Sequence, residues 1–169
     1  MSRLYKVGFE RDGETYELAI AWDDAAFADG VVAIDVTASR AKSEHPEDRA
    51  ELKVTTAVET DGEERPILAI KFQGETAASI PLDELFDESQ LIDRIPSFVF
   101  GGDPMLGCLV RSGLSASIGQ IISCRNETAG VEWVRPRMSE IARCVRGNVP
   151  NLCATAAFRA ARCSLSLGF

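Results

Sequence analysis

The chain has 169 residues, of which 46% are hydrophobic and 26% charged, enough to bury a core without covalent staples. A net charge of −8 argues against nucleic acid as the main partner, because phosphate binding needs a concentrated positive surface. A single histidine excludes a metal site built from several imidazoles.

The average charge hides a division. Residues 1–97 carry 22 acids and 10 bases, whereas residues 98–169 carry 4 acids and 8 arginines, with no lysine. All five cysteines lie in the second part, at Cys108, Cys124, Cys144, Cys153 and Cys163. An odd number forbids a complete intramolecular disulfide set, and the spacings match no zinc or iron–sulfur pattern. The opening MSRLYKVGFERDGE lacks the apolar core of a signal peptide. A cytoplasmic chain with reduced thiols is therefore the starting expectation.

In chain order, the first part reads as β. Tyr5, Val7 and Phe9 alternate with polar residues, as do Tyr16, Leu18, Ile20 and Trp22. Asp12-Gly13 between the two runs predicts a hairpin, because a type I′ turn needs positive φ. VVAIDV at 31–36 predicts a third strand, and 39–49 reads as a charged connection holding His45. LKVTTAV at 52–58 and ILAIKF at 67–72, joined through Asp61-Gly62, predict a second hairpin. Residues 81–96 read as a short helix between prolines.

The remainder reads as α. Asp103 is a candidate N-cap and Pro104 suits the first helical position. Further helices are expected over 137–146 and 151–163, with the tail SLSLGF as a strand or a packed end. Over 104–124, Leu106, Leu109, Val110, Leu114, Ile118 and Ile121 fall on one half of a helical wheel. Gly107, Arg111, Ser112, Ser115, Gly119 and Ser123 fall on the other. The pattern is that of an amphipathic core helix whose small-residue side lets another element approach. The run is also near spanning length, so a membrane-active segment is a second expectation, opposed by Arg111 and the serines.

Chemistry-bearing motifs are few. No GxGxxG, P-loop, HExxH or GxSxG occurs, and no cofactor or metal site is expected. Cys124, Cys153 and Cys163 fall on apolar arcs and read as small buried hydrophobes. Cys108 lies on the polar arc, and Arg111 one turn along would favour its thiolate, so it is the candidate reactive cysteine. The arginines would pair first with the chain's own acids.

Gly101-Gly102 marks the charge and cysteine boundary. The segment QLIDRIPSFVFGG resembles the double-glycine leaders of secreted bacterial peptides. That resemblance implies cleavage after Gly102, with Leu91 and Val99 read by the peptidase and 103–169 exported. Pro96 departs from the leader pattern.

The reading is an α+β protein, with an acidic antiparallel β part over 1–80 and a helical part over 81–169 sharing one core. A functional boundary falls at 102/103. The expected function is non-enzymatic binding or assembly, through a protein partner or self-association at Gly107, Arg111, Ser115 and Gly119. The alternative is a precursor or self-inhibited effector whose part 103–169 acts on membranes or anionic targets. Whether a small-molecule ligand binds is left open by the sequence.

Overall fold

A computed structural model of the chain describes residues 2–42, 44–63, 65–128 and 136–166. The fold is α+β: a six-stranded antiparallel sheet followed by helices. The strands are β1 (Ser2–Arg11), β2 (Glu14–Asp23), β3 (Val32–Lys42), β4 (His45–Thr60), β5 (Pro66–Phe72) and β6 (Glu75–Pro81). They lie in the sheet in sequence order, each paired with its predecessor. The short helix α1 (Asp24–Ala28) sits between β2 and β3, with the Asp23 carboxylate accepting from the Ala25 amide.

Local chemistry explains the hairpins. Asp12 and Gly13 both have positive φ (51° and 78°), and the ladder resumes at Arg11 and Glu14, the two-residue turn expected. Gln73 and Gly74 repeat this (φ 53° and 82°) and create β6, a strand absent from the sequence reading. The Asp61 hairpin forms differently. Asp61 Oδ1 accepts from the amides of Glu63 and Arg65 at 2.8 and 2.9 Å, making a longer loop held by one carboxylate. The charged stretch 39–49, expected as a connection, instead lies mostly in the ends of β3 and β4. Its backbone ladders hold it in the sheet although its polar side chains contribute little to the core.

Alternation gives the sheet two faces. Leu18, Ile20, Ile34, Val36, Val54, Leu68 and Ile80 line the inner face and are buried. The outer face closes over itself with its own polar groups. Lys71 and Glu59 pair across the Ala57–Ala69 rung, which accounts for the burial of both alanines. Thr55 Oγ1 donates to Asp35 at 2.5 Å on the same face.

The inner face is covered by α3 (Pro104–Thr128), with α4 (Pro136–Gly147) and α5 (Val149–Ala161) beside it. Leu109, Leu114, Ile118 and Ile121 of α3 are fully buried. Each such side chain contributes about 1.5–3 kcal/mol of hydrophobic stabilisation. Buried residues from strands and helices form one cluster, so the two parts share one core. By length and composition α3 could cross a membrane, but 67% of its most apolar window is buried inside the protein.

One close approach sets the helix position. A Cβ at Gly113 would lie 2.4 Å from Val36 Cγ1, so α3 rests on β3 where a side chain is absent. Gly113→Ala is expected to destabilise by about 1–3 kcal/mol through overpacking. This holds although alanine favours a helix interior over glycine by about 1 kcal/mol. A urea midpoint reads the change; an unchanged midpoint would mean that α3 can move off β3.

The single helix expected over 81–96 is broken. Short 3-10 turns occupy Leu82–Glu84 and Ser97–Phe100, with one helical turn, α2 (Ser89–Ile92), between them. Leu82, Leu85, Leu91, Ile95 and Val99 are all buried, and packing these against α3 and the sheet edge overrides a continuous helix. The third helix starts earlier than expected, at Val149, and ends at Ala161. Leu165, read as part of a strand or packed end, lies in the final turn α6 (Cys163–Ser166), while 167–169 fall outside the described residues.

Candidate functional site

The site grows from the start of α3. Asp103 Oδ1 accepts from the amides of Met105 and Leu106 at 2.9 and 3.2 Å, the N-cap expected from Asp103-Pro104. Its other oxygen pairs with Arg40 of β3. Arg40 also approaches Glu14 at 4.0 Å, and Tyr16 donates to Glu14 at 2.8 Å. Burial is the main cause that raises the Tyr16 phenol above its ordinary pKa, reinforced by Glu14. This network ties the first turn of α3 to the sheet.

Just before Asp103, Gly101 and Gly102 are exposed and have open space around them. Gly101 has φ +66°, so the joint turns where a side chain would be strained. Leu91 and Val99, the residues that a leader peptidase would read, are fully buried. They are core residues in the folded protein, and recognising them requires this segment to open.

The small-residue side of α3, expected as a partner surface, is filled largely from within the chain. A Cβ at Gly107 would touch Phe100 at 3.4 Å, and one at Gly119 would lie 3.0 Å from a Glu88 oxygen. Ser115 donates to Glu88, and Arg159 of α5 donates to Glu88 at 2.9 Å and to Ser115. Segment 88–100 and α5 therefore flank this side. Arg111 stays exposed, its guanidinium 4.2 Å over the Phe100 ring.

Between these walls runs a groove of about 640 Å³. It brings together the Gly101-Gly102 joint, the candidate reactive Cys108, and Gly107, Arg111 and Ser115 of the expected partner surface. Gly119 is not among them; it lies in an adjoining polar depression with Ser123 and Asn151. Arg159 and Ser97 also line the groove and were not singled out for it. Helical spacing carries no signal for residues brought in from α5 and from a 3-10 turn.

The cysteines differ from expectation. Cys108 is bonded to Cys163 and Cys124 to Cys144, with Cα separations of 5.7 and 5.6 Å. Cys108 therefore holds no thiolate in this form, and the mechanism suggested by Arg111 one turn away lacks its nucleophile. Cys124 and Cys163 are buried as expected, but as disulfides. The remaining thiol, Cys153, is buried, and desolvation pushes its pKa up to about 11. It is protonated at neutral pH and packs as a hydrophobe.

Among the described residues, two arginines of the helical part pair with acids of the first part, as charge balance suggested. Arg146 lies 3.9 Å from Asp24, besides the Arg159–Glu88 pair. Arg125 is buried and donates to the Leu82 carbonyl at 2.6 Å and to that of Leu85. Desolvation is the main cause lowering its pKa. Asp23 and Asp24 serve as the α1 cap and the partner of Arg3 at 2.6 Å. His45 is exposed and faces Glu47 at 3.4 Å, a surface residue as expected. No group of three potential metal ligands occurs among the described residues.

The fold and groove define an α+β protein whose helical layer is disulfide-bonded within itself. No protein-family model, curated protein or solved structure matches the chain.

Proposed function

We propose that the protein is a self-masked effector. The acidic sheet part covers the apolar side of the cationic helical part until the backbone is cut between Gly102 and Asp103. The observation that carries this reading is the placement of the crosslinks. Both disulfides lie beyond the exposed glycine joint, and neither ties the helical part to the sheet. After a cut at the joint, the helical part keeps its own covalent frame, while only non-covalent contacts (packing, ion pairs and hydrogen bonds such as those of Arg125 to the Leu82 and Leu85 carbonyls) hold it to the first part.

Charge supports the same reading. The part from 103 onward carries eight arginines against four acids, and Arg146 and Arg159 rest on acids of the first part. Separation would uncover Leu109, Leu114, Ile118 and Ile121 together with these cations. An apolar face rimmed by arginine binds anionic membrane surfaces. Disulfides persist in oxidising surroundings, which suits export of this part. The cut invoked here rests on the exposure of Gly101-Gly102, not on Leu91 and Val99.

The test places a specific protease site in the Gly101-Gly102 turn of the full chain. Intact and cut protein are added, with disulfides preserved, to dye-loaded vesicles containing phosphatidylglycerol. Leakage is expected only after the cut. Sealed vesicles after verified separation of the fragments, or equal leakage from intact protein, would sink the proposal. In the native culture, the corresponding product is a mass beginning at Asp103.

A further inference from the structure

Beyond this masking role, we infer that the groove beside the glycine joint is a binding site for a small amphipathic anion, an apolar body bearing one carboxylate. The inference rests on the groove's own composition and does not require that the chain be cut.

The first observation is an unneutralised cation. Among the described residues, Arg111 has no carboxylate in ion-pair range, and its only recorded partner is the face of Phe100 at 4.2 Å. Stacking on Phe100 holds the guanidinium in place without consuming its hydrogen-bond donors. The other charges that line the groove are satisfied. Arg159 is paired with Glu88, and Asp103 with Arg40. The groove therefore carries one uncompensated positive charge, in a protein whose net charge is −8.

The second observation concerns shape and lining. About 640 Å³ lies within the range of small-ligand sites. Ile92, Phe100, Pro104 and Gly107 supply an apolar surface, and Ser97 offers a hydroxyl beside it, while the Ser112 and Ser115 hydroxyls donate to the Cys108 carbonyl and to Glu88. An apolar chain fits against the first set while its carboxylate meets Arg111. A strongly polar ligand would waste the apolar surface, and a polyanion would exceed the single free cation. A neutral ligand would leave the guanidinium unused.

The lining comes from both sides of the 102/103 joint, with Ile92, Ser97 and Phe100 on one side and Gly107 and Arg111 on the other. The site exists only while the parts are joined in space, so an occupant would stabilise the intact arrangement.

Octanoate is the probe, titrated into the full-length, disulfide-intact protein and followed by amide NMR. Gly101, Gly102 and Gly107 line the groove, whereas Gly30, beside Ser139 of α4, and Gly62, in the Asp61 loop, lie outside its lining and serve as internal controls. Octanoate is expected to shift the first three and leave the last two in place. Arg111→Gln, at an exposed position and checked for an unchanged melting temperature, should weaken binding about tenfold or more, as should replacing octanoate by 1-octanol. Arg162→Gln, which removes a guanidinium stacked 4.8 Å over Phe158 rather than lining the groove, should bind as the parent does. The inference is overturned if millimolar octanoate shifts none of the groove glycines, or if Arg111→Gln binds equally well. Equal loss in Arg162→Gln would overturn it too, because general charge would then explain the binding. Vesicle leakage in the cut protein is unaffected by any of these outcomes, so the two proposals fail separately.

Discussion

Replacing Cys108 and Cys163 together by serine is expected to cost about 4 kcal/mol of unfolding free energy. The bond closes a sequence separation of 55 residues, and loop-closure entropy of that length gives this magnitude. Removing the Cys124–Cys144 bond, with a separation of 20, should cost about 3 kcal/mol by the same relation. For a domain of this size the first loss corresponds to a melting temperature lower by about 10 °C. The two double variants should therefore rank in that order in thermal denaturation. The reverse order would place the dominant effect in native-state packing rather than in the unfolded chain. Buried Cys163 lies 3.6 Å from Ser112 Oγ, so serine there also brings a hydroxyl into a closed site. A parallel Cys163→Ala, Cys108→Ala variant separates that contribution.

Arg125→Met should be the most damaging single change at the top of α3. Its guanidinium donates to the carbonyls of Leu82 and Leu85 and to Asn126 Oδ1 at 2.8 and 3.1 Å. Methionine fills much of the space but leaves the two carbonyls without their donor. Each unsatisfied buried acceptor costs about 1–3 kcal/mol, so a total of about 3 kcal/mol is expected. Arg125→Lys should recover only part, because one ammonium cannot reproduce the guanidinium fork. Urea denaturation gives the magnitude. Hydrogen exchange locates it: amides of 82–95 should lose protection before those of β2 and β3. Uniform loss would mean that the arginine supports the whole core rather than the connecting segment.

How much of this was legible in the sequence follows from the range of each interaction. The Asp12-Gly13 turn, the Asp103 cap and the buried stripe of α3 depend on neighbours within a few residues, and all three are present as read. Gln73-Gly74 was missed because glutamine is an unusual resident of a positive-φ position, yet its turn creates β6. The helix read over 81–96 broke because Leu85, Leu91, Ile95 and Val99 each find separate places in the core. Continuous helical geometry could not satisfy all of them.

The candidate site shows the same limit. Helical spacing put Gly107, Cys108, Arg111 and Ser115 on one side of α3, but nothing local says that Gly101, Gly102 and that side share one groove. Arg159 reaches it from 44 residues beyond Ser115. The cysteine pairing is equally non-local: five cysteines on separate helical arcs leave the connectivity open until the helices pack.

By itself, then, the sequence determined the α+β order of elements, the acidic-to-cationic division at residue 102, the turn and cap chemistry, and which side of α3 is apolar. These are set by residue-to-residue periodicity and by composition. Tertiary structure alone decided which cysteines join, that the small side of α3 is held by Glu88, Phe100 and Arg159, and that Arg111 is left facing a groove. Those outcomes depend on the free energy of bringing distant segments together, which is fixed only when the whole core closes.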